Sequence, residues 1–194
     1  MSTIAIILAA DSGTGFAGPK YIALVRDKPL LQHVVDDAVD WPVDDVLVVL
    51  GSDAEVIIDT IDFRGLTIVV DPEWSEGSAS PLRAALDLAS RDRSIRRCVI
   101  ARGDQPGVDA ATVASLIDTA TTREADAVVP KYRYSIGWPV LLDQSIWEHL
   151  LGGEGSVDLL DVAVSHTSSL AEVWFDHLGP ATIESADDLP SVRR

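Results

Sequence analysis

Five short apolar runs rich in β-branched residues are separated by stretches whose apolar residues recur at helical spacing, and no other feature restricts the fold as tightly. The runs are TIAIILAA (3–10), DVLVVLG (45–51), LTIVVD (66–71), RCVIAR (97–102) and ADAVVP (125–130). Between them lie PLLQHVVDDAVD (29–40), DAEVIIDTI (53–61), SPLRAALDLAS (80–90) and DAATVASLIDTATT (109–122). Strands this apolar need cover on both faces, so the order predicts right-handed βαβ units. The expected class is α/β, a three-layer α/β/α Rossmann-like arrangement with a mainly parallel sheet. Asp53 and Asp109 suit helix N-caps, Pro29 suits a first helical turn, and Gly51, Gly65 and Gly107 suit loops. After Pro130 the rhythm changes: WPVLLD and LAEVWFD read as strands, QSIWEHLL and SVDLLDVAVSH as short helices, and GGEG (152–155) as a turn.

A chain of 194 residues suits one domain, 1–194. No apolar run has the length of a bilayer span. The opening run lacks the basic flank of a secretory signal, so a buried first strand in a cytoplasmic protein with no membrane partner is expected. The formal charge of −16 opposes a nucleic-acid partner. A small phosphate ligand is compatible with that charge, because amides, a few cations and a divalent metal act locally. The single cysteine, Cys98, excludes an internal disulfide and a cysteine-based zinc site, and its apolar run reads as core. His33, His149, His166 and His177 have no zinc-binding spacing. The basic cluster RDRSIRR (91–97) reads either as a steering patch or as a solvated loop, and VDDAVDWPVDD (35–45) as a solvated acidic helix end.

In an open parallel sheet, ligands bind beyond the carboxyl ends of the strands, where the strand order reverses. Three polar segments follow strands in that way: DSGTGFAGPK (11–20), PEWSEGSASPLR (72–83) and GDQPG (103–107). In the first, Gly13, Gly15 and Gly18 allow amides to point inward, and Lys20 could neutralise a phosphate oxygen. Its spacing matches neither a Walker A loop nor a GxGxxG fingerprint, and it also reads as a plain surface turn. In the last, Asp104 stands at a strand end, where a carboxylate either holds Mg²⁺ or opens the turn before Pro106.

Leu8–Lys20 resembles in place and length the LAAGxSxRxGxxK loop of the MobA-like NTP transferase family. WSEGSASPLRAAL resembles that family's serine-rich SLRAGL loop, GDQP is shared, GWPVLL resembles its Gly-His-Pro-Val strand, and IESADDL (183–189) resembles its closing I-D-T-P-E-D-L. The similarity runs in order over nearly the whole chain and leans towards the molybdenum-cofactor cytidylyltransferases. It implies a nucleotide-diphospho-sugar transferase (GT-A-like) fold, with Mg²⁺-dependent transfer of a nucleotide from an NTP to a phosphorylated acceptor. CTP would be the donor, on the strength of LAAD, and molybdopterin the acceptor. Leu8, Ala9, Ala10, Asp11, Gly13, Gly15, Gly18 and Lys20 would cradle the nucleotide, with Ser80 and Arg83 nearby. Lys20 and Asp104 would be catalytic, Asp104 and Glu184 would hold the metal, and Gly137 and Trp138 would face the acceptor.

The chain departs from the family pattern inside that first loop. Asp11 stands where the family has Gly, Gly13 where it has Ser, Gly15 where it has Arg and Ala17 where it has Gly. Trp138 replaces a His and reads either as a stacking platform or as a core residue. Three readings stay open. One is an active transferase with the missing guanidinium supplied by Arg26, Arg83 or Arg102. Another is a catalytically impaired nucleotide-binding or regulatory protein. The third is an NAD(P)H-dependent oxidoreductase of the nicotine blue type, for which the sequence offers no dinucleotide fingerprint.

Overall fold

The structure, a computed structural model, describes residues 1–13, 15–77, 79–152 and 169–191. The five apolar runs form β1 (Ser2–Ala9), β4 (Asp45–Leu50), β5 (Thr67–Val70), β6 (Ile95–Arg102) and β7 (Ala127–Tyr132). The helical patterns form α1 (Leu30–Ala38), α2 (Ala54–Thr60), α3 (Ala79–Ala89) and α4 (Ala110–Thr122). WPVLLD and LAEVWFD supply β9 (Val140–Asp143) and β10 (Leu170–Phe175), and QSIWEHLL lies within α5 (Gln144–Gly152). The helix expected over 156–166 lies outside the described residues, as do all but the first residue of the GGEG turn. The hairpin of β2 (Leu24–Val25) and β3 (Lys28–Pro29), and the short β8 (Ser135–Ile136), come in addition.

The main sheet runs in the order β10-β7-β9-β6-β1-β4-β5, with β8 on β7. Every pairing along that path is parallel except those of β9, which lies antiparallel between β6 and β7. The chain winds outwards from β1 through β4 to β5 and then crosses back to β6 on the other side of β1. The winding therefore reverses between β1 and β6, and the loops leaving those two strands face each other across the gap.

Period-two alternation builds a separate core on each sheet face. Ala5, Ile7, Val46, Val48 and Val99 pack under α1, α2 and α4 through Leu31, Val34, Ile57, Val113 and Leu116. Ile4, Ile6, Leu47, Val49, Cys98 and Ile100 pack under α3 and α5 through Leu82, Leu86, Ile146, Trp147 and Leu150. This is the expected three-layer α/β class. Burial pushes the Cys98 thiol well above its ordinary pKa, which holds the sulfur as an unreactive thiol. A thiol-reactive chromophore is accordingly expected to modify no cysteine in the native protein and one equivalent in denaturant.

Two local expectations are corrected. Asp53 precedes α2 but sits at φ 58° and makes no capping hydrogen bond; its carboxylate instead accepts from Ser52 Oγ at 2.7 Å. Asp109 does cap α4, accepting from the Thr112 amide at 2.8 Å. The acidic stretch 35–45 is more than a solvated helix end. Asp36 pairs with Lys28 and Arg64, the Gly107 amide donates to Asp37, and the Thr3 amide donates to Asp44.

Candidate active site

The register of two neighbouring strands assembles the site. Leu8 pairs with Arg102, and the Gly103 amide donates to the Leu8 carbonyl at 2.8 Å, so the loop after β1 and the GDQP turn after β6 start side by side. Gly103 has to be glycine at this crossing, since a Cβ there would lie 2.7 Å from Ala9 Cβ and 3.1 Å from the Tyr21 ring. The first loop ends in a single 3-10 turn, Lys20–Ile22, rather than in a full α-helix. It therefore lacks the helix N-terminus on which a dinucleotide-binding turn rests its pyrophosphate.

Lys20 and Asp104 meet at 2.5 Å, Nζ to Oδ2, and their side chains are only 4% and 2% exposed. Asp11 Oδ2 accepts from the same ammonium at 3.2 Å from a more open position. On the other side, Arg102 donates through Nε to Asp104 Oδ1 and through Nη2 to Oδ2, each at 2.9 Å. Burial pushes the Asp104 carboxyl pKa up, but the Arg102 hydrogen bonds and the charges of Lys20 and Arg102 more than offset that, leaving it below its ordinary value. Tyr21, buried beside the cluster, has its phenol pushed well above its usual range by burial and by the negative charges of Asp11 and Asp104. The result is a charge-balanced cluster of two carboxylates and two cations, with the buried Lys20–Asp104 pair at its centre.

The end of the described chain closes one side of this cluster. The Ile183 amide donates to the Asp104 carbonyl at 2.9 Å, and Gln105 Nε2 donates to the Pro180 carbonyl and to Thr182 Oγ1. Asp188 accepts from the amides of Glu184 and Ser185 and fixes that turn. Glu184 thereby comes close enough to Arg102 for its charge to raise the guanidinium pKa. Gly15 lies against the same turn, where a Cβ would stand 3.7 Å from Ser185 Cβ.

Of the residues selected from sequence, Asp104 and Asp11 both contact Lys20, and Glu184 is electrostatically linked to their neighbour Arg102. Leu8 and Ala9 end β1, with Ala10 directly after it, and Gly13 folds onto the Lys20 stem. Gly18 has open space around it. Ser80 is buried in the first turn of α3 and Arg83 is half-buried on the same helix; no hydrogen bond joins either to the ion cluster among the described residues. Gly137 packs on the Tyr132 ring, and Trp138 is partly buried against the α3/α5 core while its carbonyl accepts from Tyr132 Oη at 2.8 Å. Of the three candidate arginines, Arg102 is in the cluster and Arg26 lies in the exposed β2–β3 turn. The basic stretch 91–97 sits at the other end of β6, where Arg96 and Arg97 face Asp143. The bidentate Arg102–Asp104 pair and the buried Tyr21 are the parts of the cluster not read from the sequence.

The donor set fits a hard divalent cation. Asp104 is held ionised and the charge of Glu184 reaches its partner Arg102, while no group of three His, Cys, Asp or Glu side chains gathers among the described residues. One or two carboxylates are what Mg²⁺ takes from a protein when substrate phosphates and water complete its shell. No helix among the described residues is long and apolar enough to cross a membrane.

Comparison with known proteins bears on the family and the fold. The family model for the MobA-like NTP transferase domain matches residues 5–169. The bifunctional protein GlmU of Shouchella clausii is 32% identical over 127 residues, covering 64% of this chain and 27% of that protein, so the match spans about a quarter of the relative. The Rv0371c homologue from Mycobacterium sp. strain JC1 superposes with a TM-score of 0.87 at 28% identity over 98% of this chain and 96% of the other. Rv0371c of Mycobacterium tuberculosis H37Rv, solved in complex with manganese, shares the fold with a TM-score of 0.85 at 23% identity, over 99% of this chain and 98% of the other.

Proposed function

Since the chain belongs to the MobA-like NTP transferase family, we propose that it transfers a nucleoside monophosphate from an NTP to a phosphorylated small-molecule acceptor, releasing pyrophosphate. CTP is the favoured donor, on the strength of Ala10 in LAAD, and molybdopterin the favoured acceptor class. The observation that carries this reading is the buried contact of Lys20 with Asp104 at the point where the sheet winding reverses. That is where a phosphate ligand of an open α/β sheet is expected, and the contact pairs a phosphate-binding cation with a metal-binding carboxylate.

In the reaction an acceptor phosphate oxygen forms a bond to the α-phosphorus as the bond from that phosphorus to the β-phosphate bridging oxygen breaks. Pyrophosphate leaves with the bonding electrons. Lys20 would hold oxygens of the transferred and leaving phosphates, and the amides of the 8–18 loop would receive the rest of the charge. Asp104 and Glu184 would hold Mg²⁺, which when bound neutralises phosphate charge and fixes the in-line geometry. Ser80 and Arg83 would line the nucleotide side, and Gly137 and Trp138 the acceptor side. The protein's contribution is positioning and charge compensation, not covalent chemistry.

Thermal unfolding with CTP, GTP, ATP and UTP, with and without Mg²⁺, tests the reading. At about 100-fold excess over Kd, a ligand of the native state stabilises by about 2.7 kcal/mol. Stabilisation by one NTP that requires Mg²⁺, and is lost in Asp104→Asn, is the expected result. No stabilisation by any NTP would overturn it. Stabilisation without pyrophosphate release in the presence of phosphorylated acceptors would instead favour a nucleotide-binding protein, the reading suggested by Asp11 competing for Lys20.

A further inference from the structure

Both oxygens of Asp104 are already occupied. Arg102 takes Oδ1 and Oδ2 through Nε and Nη2, and Lys20 takes Oδ2 from the other side. A bare divalent cation approaching this carboxylate meets a guanidinium and an ammonium at the atoms it needs, and at such separations like charges repel strongly. Phosphate oxygens change that balance because they compete for the same N–H donors. Of the two cations, Lys20 is the deeper at 4% exposure, and Arg102, at 33%, is the one a phosphate meets first. Its Nη1 makes no hydrogen bond among the described residues. A phosphate met first by Nη1 can therefore draw the guanidinium outward, its oxygens replacing those of Asp104 on Nε and Nη2 and freeing Oδ1 for the metal.

We propose that Arg102 is a positioning residue that closes Asp104 to free divalent metal and admits the metal only together with phosphate, so that the two are bound as a unit. This rests on the functional reading above. Arg102 then has opposite effects on two ligands: it weakens binding of the metal alone and strengthens binding of the metal with phosphate.

The test uses the full chain as wild type, Arg102→Leu and Arg102→Lys. Free Mn²⁺ binding is measured by electron paramagnetic resonance, and binding of preformed manganese pyrophosphate by calorimetry. Relative to wild type, Arg102→Leu is expected to bind free Mn²⁺ about tenfold more tightly or better and manganese pyrophosphate about tenfold more weakly or worse. Arg102→Lys keeps the charge but loses the fork, and should fall between the two. Changes of opposite sign are the signature, because a variant that merely loosens the fold would weaken both. If Arg102→Leu weakens both ligands, or leaves free Mn²⁺ affinity unchanged, the inference is overturned while the transferase reading stands. If the wild type binds neither manganese pyrophosphate nor any NTP, the transferase reading falls and the inference with it.

Discussion

Asp104→Ala is expected to lower the unfolding midpoint by roughly 6–20 °C and to abolish Mg²⁺-dependent nucleotide binding. Asp104 is the anion at the centre of the cluster, and removing one partner of a buried ion pair costs about 3–5 kcal/mol because the remaining charge is left uncompensated. Here the stranded groups are Arg102 and, above all, Lys20, 4% exposed, whose one remaining carboxylate partner among the described residues is the more open Asp11. For a chain of this size each kcal/mol moves the midpoint by about 2–4 °C. The pH dependence has a definite sign. The folded carboxyl titrates below its ordinary value, so its contribution is complete above the unfolded carboxylate range near about pH 4 and is lost as pH falls through the lower folded pKa. The deficit of the variant should therefore be full at neutral pH and shrink on acidification, as read from urea midpoints between pH 7 and 2. Lys20→Met/Asp104→Leu should recover much of the stability and none of the binding, which separates the two roles.

Gly13→Ser is the second large effect. Gly13 has φ 60°, and a Cβ built there would fall on the Cβ of Lys20 and within 2.9 Å of its Cδ. The Lys20 Cβ is fixed by the backbone of the 3-10 turn, so no rotamer change relieves the clash. The left-handed backbone costs a non-glycine residue about 1–2 kcal/mol, and overpacking adds about 1–3 kcal/mol. A loss of about 2–5 kcal/mol in urea unfolding is expected, with nucleotide affinity falling at least about tenfold as the loop lifts from Lys20. Gly18→Ala is the control. Nothing lies within 4 Å of its Cβ position, and a change within about 0.5 kcal/mol is expected.

The fold was readable because its signals are periodic. Ile4, Ile6 and Ala5, Ile7 alternate between the two sheet faces, and Leu31, Val34, Val35 and Ala38 share one helix face. Asp53 defeated the same kind of reading because a residue type that favours caps also tolerates positive φ, and the backbone took the second option. At the site, Lys20 and Asp104 were legible from where their loops leave the strands. Arg102 was legible only as one of several nearby arginines. Its role depends on a long side chain turning back onto a carboxylate two residues away, and strand position alone does not specify that. The antiparallel placing of β9 was hidden for a related reason: WPVLLD has the composition of a strand and carries no mark of its direction.

The contact of Gly15 with the turn at Ser185 joins segments from nearly opposite ends of the described chain, and the bond from the Ile183 amide to the Asp104 carbonyl ties that turn to its middle. On the ribosome, where about 5–20 residues are added per second, the glycine loop is made on the order of ten seconds or more before the turn that closes over it. Throughout that interval the nascent chain has Lys20 without Glu184, and for its first part without Asp104. Ligand therefore cannot help the early sheet to form, and a protein stalled or clipped before Ile183 would keep its strands but arrive without a finished site.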